Sequence, residues 1–189
     1  MNAASKYIKE FMLVDDRILH CVPLWKYRDL TKALKHRVDA IVDPLLAPNC
    51  HGWRNHYDVH TAVKRIEAMG GERLSCDITN FFPSINQKRL KHLVSRYDHH
   101  LWLDVEPFMP EGGYGLPEGC AFSPPLANLY LTALDDRWPE MTRYGDNIML
   151  CCDNPAPKMD KLKRQLRDID LFTHPMEADI FCKQRLTER

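Results

Sequence analysis

With 189 residues, the chain is long enough for one domain with a hydrophobic core, or for a small domain with an appendage. Its composition, 44% apolar and 28% charged, is typical of an ordinary globular protein. The apolar runs are far shorter than a membrane span, and the first residues lack the apolar core of a signal peptide. We therefore expect a cytoplasmic protein with no membrane partner.

The net charge is zero, which taken alone argues against nucleic-acid binding, but the charges are unevenly distributed. Residues 1–100 carry 16 Lys/Arg against 11 Asp/Glu, and residues 101–189 carry 10 against 15. This asymmetry is compatible with a basic lobe that binds phosphates and an acidic lobe that binds cations. Charges scattered over a solvated surface explain it equally well. Seven cysteines, an odd count that includes an adjacent pair, favour buried reduced thiols over a disulfide framework.

In the first half, residues 29–46 have apolar side chains at helical spacing and end near a proline. The apolar positions of this predicted helix are Leu30, Ala33, Leu34, Val38, Ile41 and Val42. Asp58 is suited to cap a second helix that Gly70 and Gly71 close. The run "RLSCDI" alternates as a strand does, and "QKRLKHLVSRY" predicts a short amphipathic helix.

In the second half, residues 107–119 hold four glycines and three prolines, which predicts a loop or tight hairpin. "SPPLANLYLTALDDRW" predicts a helix with Ser123 at its N-cap. A strand, a Gly-Asp turn and a second strand follow through Cys152, then a helix and one or two strands in "LFTHPMEADIFCKQ". Strands and helices mix without regular alternation, so an α+β fold is expected.

Two aspartates each lie at the edge of an apolar strand, Asp77 in "LSCDITNFF" and Asp146 in "YGDNIML". A carboxylate that ends a buried strand is costly unless it is paired or binds a cation. If the two strands are neighbours, the carboxylates come together and favour a hard cation such as Mg²⁺ between them. This is the arrangement of two-metal phosphoryl transfer, although each acid taken singly is more often a turn or cap residue.

Three ordered blocks resemble motifs A, B and C of reverse transcriptases: "CDITNFFPSI", "GLPEGCAFSPPLANLYLTALDD" and "RYGDNIMLCC". Upstream, "HRVDAIVDPLLAPNCHGWRNHYDVHTAVKRI" is similar to the fingers segment of the bacterial enzymes of this family. The resemblance runs from about residue 35 to residue 153 and continues weakly to residue 183. It is greatest to the bacterial group of group II intron, retron, diversity-generating and phage-defence enzymes.

The resemblance implies a right-hand polymerase palm, with an antiparallel sheet and helices, plus N-terminal fingers. Helical fingers would occupy residues 1–70 and the palm residues 71–189. Within the palm, the motif boundaries would be A at 74–86, B at 115–135, C at 143–153 and a D region at 171–184.

The implied catalytic residues are Asp77, Asp146 and Asn147. Asp77, the backbone carbonyl of Ile78 and Asp146 would bind the metals, Mg²⁺ or alternatively Mn²⁺. Phe82 stands where these enzymes place the aromatic side chain that blocks a ribose 2′-hydroxyl, so deoxynucleotides are the expected substrates.

The resemblance also implies residues that contact nucleotide and nucleic acid. Arg54 would meet the incoming triphosphate, for which its planar donor fork is suited. Gly119 would let the backbone approach the nascent base pair, and Ser123 and Pro124 would begin the helix under the template. Further candidates for phosphate contacts, which solvated helix faces explain equally well, are Arg37 and Lys64.

Two substitutions depart from the family pattern. Asn147 replaces the second aspartate of motif C, which removes one negative charge and keeps a carbonyl oxygen. Weakened activity with a preference for Mn²⁺ is the expected result. Glu118 stands where most of these enzymes have glutamine, beside the expected nucleotide position, where it would change base or template preference or pair with a local arginine.

The third departure is length, because little sequence follows the D region and no segment corresponds to a helical thumb. Such a chain is expected to have low processivity, or to use an RNA or protein partner in place of the thumb. The resemblance thus implies an RNA-directed DNA polymerase, a nucleotidyltransferase acting on dNTPs with an RNA template or structured RNA and a DNA product. Phage defence is the setting suggested by the group.

Three alternatives stay open. The fold could serve as a catalytically weakened RNA-binding scaffold, which the missing acid and thumb favour. Synthesis could instead be untemplated or protein-primed. A zinc site is the third, because histidine and cysteine are zinc ligands and the chain clusters Cys50, His51, His56 and His60, but the spacing fits no standard finger.

Overall fold

The computed structural model describes residues 9–12, 18–21 and 24–174. The helices in these residues are α1 (Leu24–Val42), α2 (Val59–Met69), α3 (Phe81–Ser84), α4 (Gln87–Ser95), α5 (His99–Val105), α6 (Ser123–Asp135) and α7 (Pro155–Arg167). The strands are β1 (Lys9–Met12), β2 (Ile18–Cys21), β3 (Glu72–Asp77), β4 (Met141–Tyr144) and β5 (Asn147–Cys152). Helices and antiparallel strands mix, which agrees with the α+β prediction. None of the described helices combines the length and apolar character needed to cross a membrane.

A three-stranded antiparallel sheet in the order β3-β5-β4 forms the centre of the fold. Strands β4 and β5 are joined by a two-residue turn, in which Gly145 has a φ of 67°. Two-residue hairpin loops of the favoured types require a positive φ at this first position, which glycine adopts without steric cost. The predicted strand, Gly-Asp turn and strand are therefore confirmed.

Helix α6 is the most buried helix of the core. The predicted helix is confirmed, and Leu126, Leu129, Tyr130 and Leu134 form its buried apolar face. Helix α1 packs against α6 and buries Leu34, Val38 and Val42. Leu30 and Ala33, which were expected on the same face, are exposed, because they border a surface groove between α1 and residues 103–108.

Helix α2 begins and ends as expected. The Asp58 carboxylate accepts a hydrogen bond from Thr61 N at 2.8 Å, and the Thr61 hydroxyl bonds back to the Asp58 backbone. Gly70, with a φ of 64°, follows the last turn. This reciprocal capping satisfies two backbone donors that a helix N-terminus otherwise leaves without a partner.

Three local expectations were wrong or incomplete. Ser123 lies inside the first turn of α6 rather than at its N-cap, because its hydroxyl donates to Pro117 O at 2.7 Å. Residues 9–12 and 18–21, within the N-terminal segment that was expected to be helical, form the antiparallel pair β1 and β2. Helix α5, capped by Asp98, was not predicted. The region of the predicted final strands lies mainly outside the described residues, with Thr173 forming an isolated bridge to Ile78.

No disulfide joins any of the six cysteines in the described residues, as expected, and four of these six are buried. Burial raises the pKa of Cys76 to about 11 and that of Cys120 to about 12. Since the thiolate is the reactive form, these two side chains are inert at neutral pH.

Candidate active site

Asp77 and Asp146 come together at one end of the sheet. Asp77 is the last residue of β3 and is paired in register with Asn147, the first residue of β5. The backbone N–H of Ile78 donates to Asp146 O at 3.3 Å, so the hairpin turn lies directly beside the end of β3. The two aspartates that the sequence singled out are therefore neighbours across two adjacent strands.

Burial, and then the charge of Asp146, raise the pKa of the Asp77 carboxyl above its ordinary value. Its Oδ1 atom is buried and has no hydrogen-bond partner among the described residues. A buried carboxylate oxygen without a donor, next to a second acid, is costly unless a cation is present. Ile78 follows Asp77 in the sequence, and Asn147 follows Asp146. The backbone carbonyl of Ile78 and the amide oxygen of Asn147 therefore join the two carboxylates as candidate metal ligands. All of these ligands are oxygens, which Mg²⁺ and Mn²⁺ prefer. The residues present thus fit a hard divalent cation.

Asp77→Asn is expected to stabilise the metal-free protein by about 0.5–2 kcal/mol, because it removes a charge that the fold disfavours. The raised pKa means that the folded state binds this proton more tightly than the unfolded chain does. Stability of the wild type should therefore fall as the pH rises from the ordinary carboxyl pKa through the raised one, and the variant should lack that fall. Thermal unfolding measured across this pH range checks both expectations.

Asp153→Asn is the matched control, since Asp153 is an exposed acid just beyond the opposite end of β5. It should leave the stability and its pH dependence unchanged. Mg²⁺ should raise the unfolding temperature of the wild type and of this control more than that of Asp77→Asn. Equal stabilisation of all three by Mg²⁺ would show that Asp77 does not bind the cation.

The sequence prediction did not include Trp53, which lies over this end of the sheet. The indole is stacked on Phe82, with ring centroids 5.2 Å apart and an interplanar angle of 25°. A Cβ atom on Gly145 would lie 3.0 Å from Cη2 of Trp53, so the ring is packed closely against the hairpin turn. Trp53 has a φ of 56°, which is rare for a bulky side chain and usually marks a functional or strongly constrained position.

Gly52 brings the Trp53 loop into direct contact with the hairpin. A Cβ atom on Gly52 would overlap Gly145 N and lie 2.9 Å from the carbonyl carbon of Tyr144. The Asn128 amide of α6 donates to Gly52 O at 2.9 Å and holds the loop in place. Glycine is thus required here for space, since Gly52 is not among the residues with positive φ.

Arg143 links the hairpin to α6 and to the loop before Trp53. Its side chain is 0% exposed, and its Nε and Nη2 atoms donate to the two Asp135 carboxylate oxygens at 2.9 and 2.7 Å. Nη1 donates to Asn128 Oδ1 and to Gly145 O, both at 2.9 Å, and Nη2 also lies 3.1 Å from Cys50 Sγ. All five guanidinium donors are therefore satisfied.

Arg143 is positively charged in the folded protein. Burial opposes its charged form, but Asp135 outweighs this cost, so the pKa of Arg143 lies above its ordinary value. One sequence signal could have indicated this network: an arginine in the strand "MTRY", whose neighbours are buried, requires a buried acid. Nothing in the sequence names Asp135 as that acid.

Arg54 is directed into its own loop. Its Nη1 donates to the carbonyls of Ala47 and Cys50 at 2.9 and 3.3 Å, and its guanidinium lies 4.2 Å from the centre of the Tyr57 ring. To contact a triphosphate, Arg54 would use its other donors or give up these two hydrogen bonds. The contact of Arg54 with the triphosphate stays a prediction.

The two other cationic candidates lie on helix surfaces. Arg37 on α1 is paired with Asp104 and, at 3.2 Å, with Asp98, so it joins α1 to α5. Lys64 is exposed on α2. Contact of either side chain with nucleic acid stays a prediction.

The motif B candidates lie between Pro117 and the start of α6. Glu118 is half-buried and forms a backbone bridge with Cys21, whose thiol pKa is raised by burial and then by the Glu118 charge. Gly119 has a φ of 69°, and the space where its Cβ would stand is open. Ser123 is buried and Pro124 half-buried at the start of α6. The open space beside Gly119 agrees with a close approach of substrate, which stays a prediction.

The residues of the zinc alternative do not form a cluster. Across the described part of the chain, no three His, Cys, Asp or Glu side chains are grouped as metal ligands. Cys50 contacts Arg143, and Nδ1 of His51 lies 2.9 Å from the Thr61 hydroxyl. His56 and His60 are exposed. The zinc interpretation therefore has no support in these residues.

No protein-family model and no curated protein matches the sequence. Solved structures of telomerase from Candida tropicalis have a similar fold. For telomerase in complex with the TWJ fragment of telomeric RNA, the TM-score is 0.58 at 10% identity, covering 89% of this chain and 39% of that chain. For apo telomerase truncated from the C-terminal domain, the TM-score is 0.59 at 9% identity, covering 92% of this chain and 50% of that chain.

The chain thus spans half or less of the length of these telomerase chains. At this identity the likeness concerns the fold alone. The fold is like that of telomerase, a polymerase related to reverse transcriptases.

Proposed function

We propose that the chain is the palm and fingers of an RNA-directed DNA polymerase that adds deoxynucleotides by two-metal phosphoryl transfer. The observation that carries this proposal is the juxtaposition of Asp77 and Asp146 at the end of β3 and β5, with Asp77 Oδ1 buried and without a partner in the described residues. The polymerase-like fold supports it independently.

The proposed mechanism assigns each residue a separate task. Asp77, at the end of β3, and Asp146, in the turn before β5, would hold the cations with their carboxylates. Bound Mg²⁺ or Mn²⁺ would supply stabilisation of the charge that develops on the attacking and leaving oxygens. Phe82 excludes a ribose 2′-hydroxyl, and Gly119 leaves room for the new base pair. Asn147 provides an amide oxygen in place of a third charge, so a second cation would be held less tightly.

Incorporation of labelled dNTPs on an RNA template with a DNA primer tests this function. With Mg²⁺ or Mn²⁺, the wild type and the control Asp153→Asn should extend the primer, and Asp146→Ala should lose at least about 100-fold in rate. Asn147→Asp should raise the rate in Mg²⁺ and reduce the preference for Mn²⁺. If Asn147→Asp leaves both unchanged, the account of Asn147 is wrong.

A polymerase-like scaffold that binds RNA is the second candidate, and the missing carboxylate at Asn147 favours it. The same experiment separates the two, because a scaffold incorporates no nucleotide under any condition while Asp146→Ala still binds RNA like the wild type. Omitting the template, and then the primer, distinguishes templated synthesis from untemplated or protein-primed synthesis.

We further propose an RNA partner. One telomerase of similar fold was solved in complex with an RNA fragment. If this RNA helps to hold the primer, the chain alone should release its primer after few additions, and processive synthesis by the chain alone would refute this. Sequencing the nucleic acid that copurifies would identify the RNA. A setting in phage defence stays a prediction.

A further inference from the structure

Trp53 is held in a demanding conformation at a position that the proposed catalytic roles leave unused. It combines a φ of 56° with 37% exposure, so neither burial nor backbone preference explains its place. A bulky residue remains in the left-handed region only when its surroundings determine it. Here the Asn128 bond to Gly52 O and the close approach of Gly52 to the hairpin supply that constraint.

Three aromatic rings form a stack beside Asp77 and Asp146. The three rings contact one another in a triangle, with ring centroids 5.2 Å apart for Trp53 and Phe82, 6.0 Å for Phe81 and Phe82, and 6.5 Å for Trp53 and Phe81. Phe81 is buried, at 3% exposure, and anchors the stack to the core. The opposite edge of Trp53 is packed on Gly145, the residue before Asp146. The indole therefore connects Phe82 to the hairpin that carries a proposed metal ligand.

We propose that Trp53 is a positioning residue that holds Phe82 in place, so that the pair, and not Phe82 alone, excludes ribonucleotides. This inference rests on the proposed function, in which Phe82 lies beside the sugar of the incoming nucleotide. Excluding one additional hydroxyl requires a side chain that is held rigidly in place, because an apolar pocket that can relax discriminates poorly against a small added group. Trp53 occupies the space into which the Phe82 ring would otherwise turn.

The geometry also predicts which substitutions preserve the effect. Phenylalanine at position 53 keeps a flat ring that can stack on Phe82, whereas alanine removes the surface altogether. Trp53→Phe should therefore retain sugar discrimination and Trp53→Ala should lose it. A change at position 53 should add nothing once Phe82 is alanine, because Trp53 acts through Phe82.

The experiment compares equilibrium binding of dATP and ATP, in Mg²⁺, to the protein with an RNA template and a chain-terminated DNA primer, with U as the next template base. Wild type, Trp53→Phe, Trp53→Ala, Phe82→Ala and the double alanine variant are measured. The control is Tyr97→Ala, which removes a half-exposed aromatic side chain two residues beyond the end of α4. Single-nucleotide incorporation of dATP and ATP is then measured with an extendable primer, and thermal unfolding verifies that each variant is folded.

We expect wild type, Trp53→Phe and Tyr97→Ala to prefer dATP. We expect Trp53→Ala to lose about tenfold or more of that preference, as Phe82→Ala does, with no further loss in the double variant. Unchanged preference in folded Trp53→Ala, or a wild type that binds dATP and ATP equally, would overturn the proposal. A wild type that discriminates in binding but incorporates nothing would refute the polymerase function and leave the role of Trp53 intact.

Discussion

Replacing Arg143 with methionine should destabilise the protein by about 3–5 kcal/mol, the range for removing one partner of a buried ion pair. The variant leaves the Asp135 carboxylate without its cation at a site that is 0% exposed. It also removes the donors to Asn128 Oδ1 and Gly145 O, so the hairpin before Asp146 loses its attachment to α6. Urea-induced unfolding, monitored by circular dichroism, measures the free energy of unfolding.

Lys158→Ala is the control for Arg143→Met, because it breaks an ion pair whose partners are 44% and 25% exposed. An exposed pair of this kind contributes about 1 kcal/mol or less. The double variant Arg143→Met/Asp135→Leu should recover part of the loss, since it removes the unpaired charge as well. A loss in Arg143→Met no larger than that in Lys158→Ala would contradict the importance of the buried pair.

Gly52→Ala should have the second large effect, a loss of about 3 kcal/mol together with most of any polymerase activity. The added methyl overlaps the backbone of Gly145, and neither backbone segment can move without breaking bonds that hold it. The Trp53 loop would have to leave the hairpin, breaking the Asn128 contact to Gly52 O. Unfolding and primer extension measure the two parts of this prediction.

Gly112→Ala distinguishes crowding from backbone strain. Gly112 has a φ of 91° and open space around its Cβ position, so alanine there meets strain alone. Its cost should be about 1 kcal/mol, well below that of Gly52→Ala. Equal losses in the two variants would show that the close approach at Gly52 has little energetic importance.

Local sequence patterns were sufficient to predict several elements of the fold and to single out the two aspartates of the candidate site. Asp58 determines a helix start through bonds to near neighbours, and Gly145 determines a hairpin turn through its own positive φ. Asp77 and Asp146 could be identified because an acid at the edge of an apolar strand is costly without a cation. Strand adjacency, which the sequence did not establish, was needed to bring them together.

The remaining features depend on contacts between distant residues. Gly52 and Gly145 approach each other although about half of the chain separates them, and no local pattern marks a glycine whose role is to make room for another backbone. The Arg143 pair with Asp135 spans a helix and a strand. The stacking of Trp53 on Phe82 could not be predicted from the sequence either. Aromatic residues in an apolar context are predicted simply as core residues, and the pattern does not indicate which of them contact each other.

The loop before Trp53 also has a consequence for solubility. Cys50 forms a parallel bridge with Arg143, in which Arg143 N donates to Asn49 O and His51 N donates to Arg143 O, both at 2.8 Å. The outer edge of β4 is thereby covered by another part of the chain. Uncovered strand edges template association with other molecules. Variants that displace this loop should therefore self-associate as well as unfold more easily, and the attachment that shapes the candidate active site also keeps this edge of the sheet from pairing with other molecules.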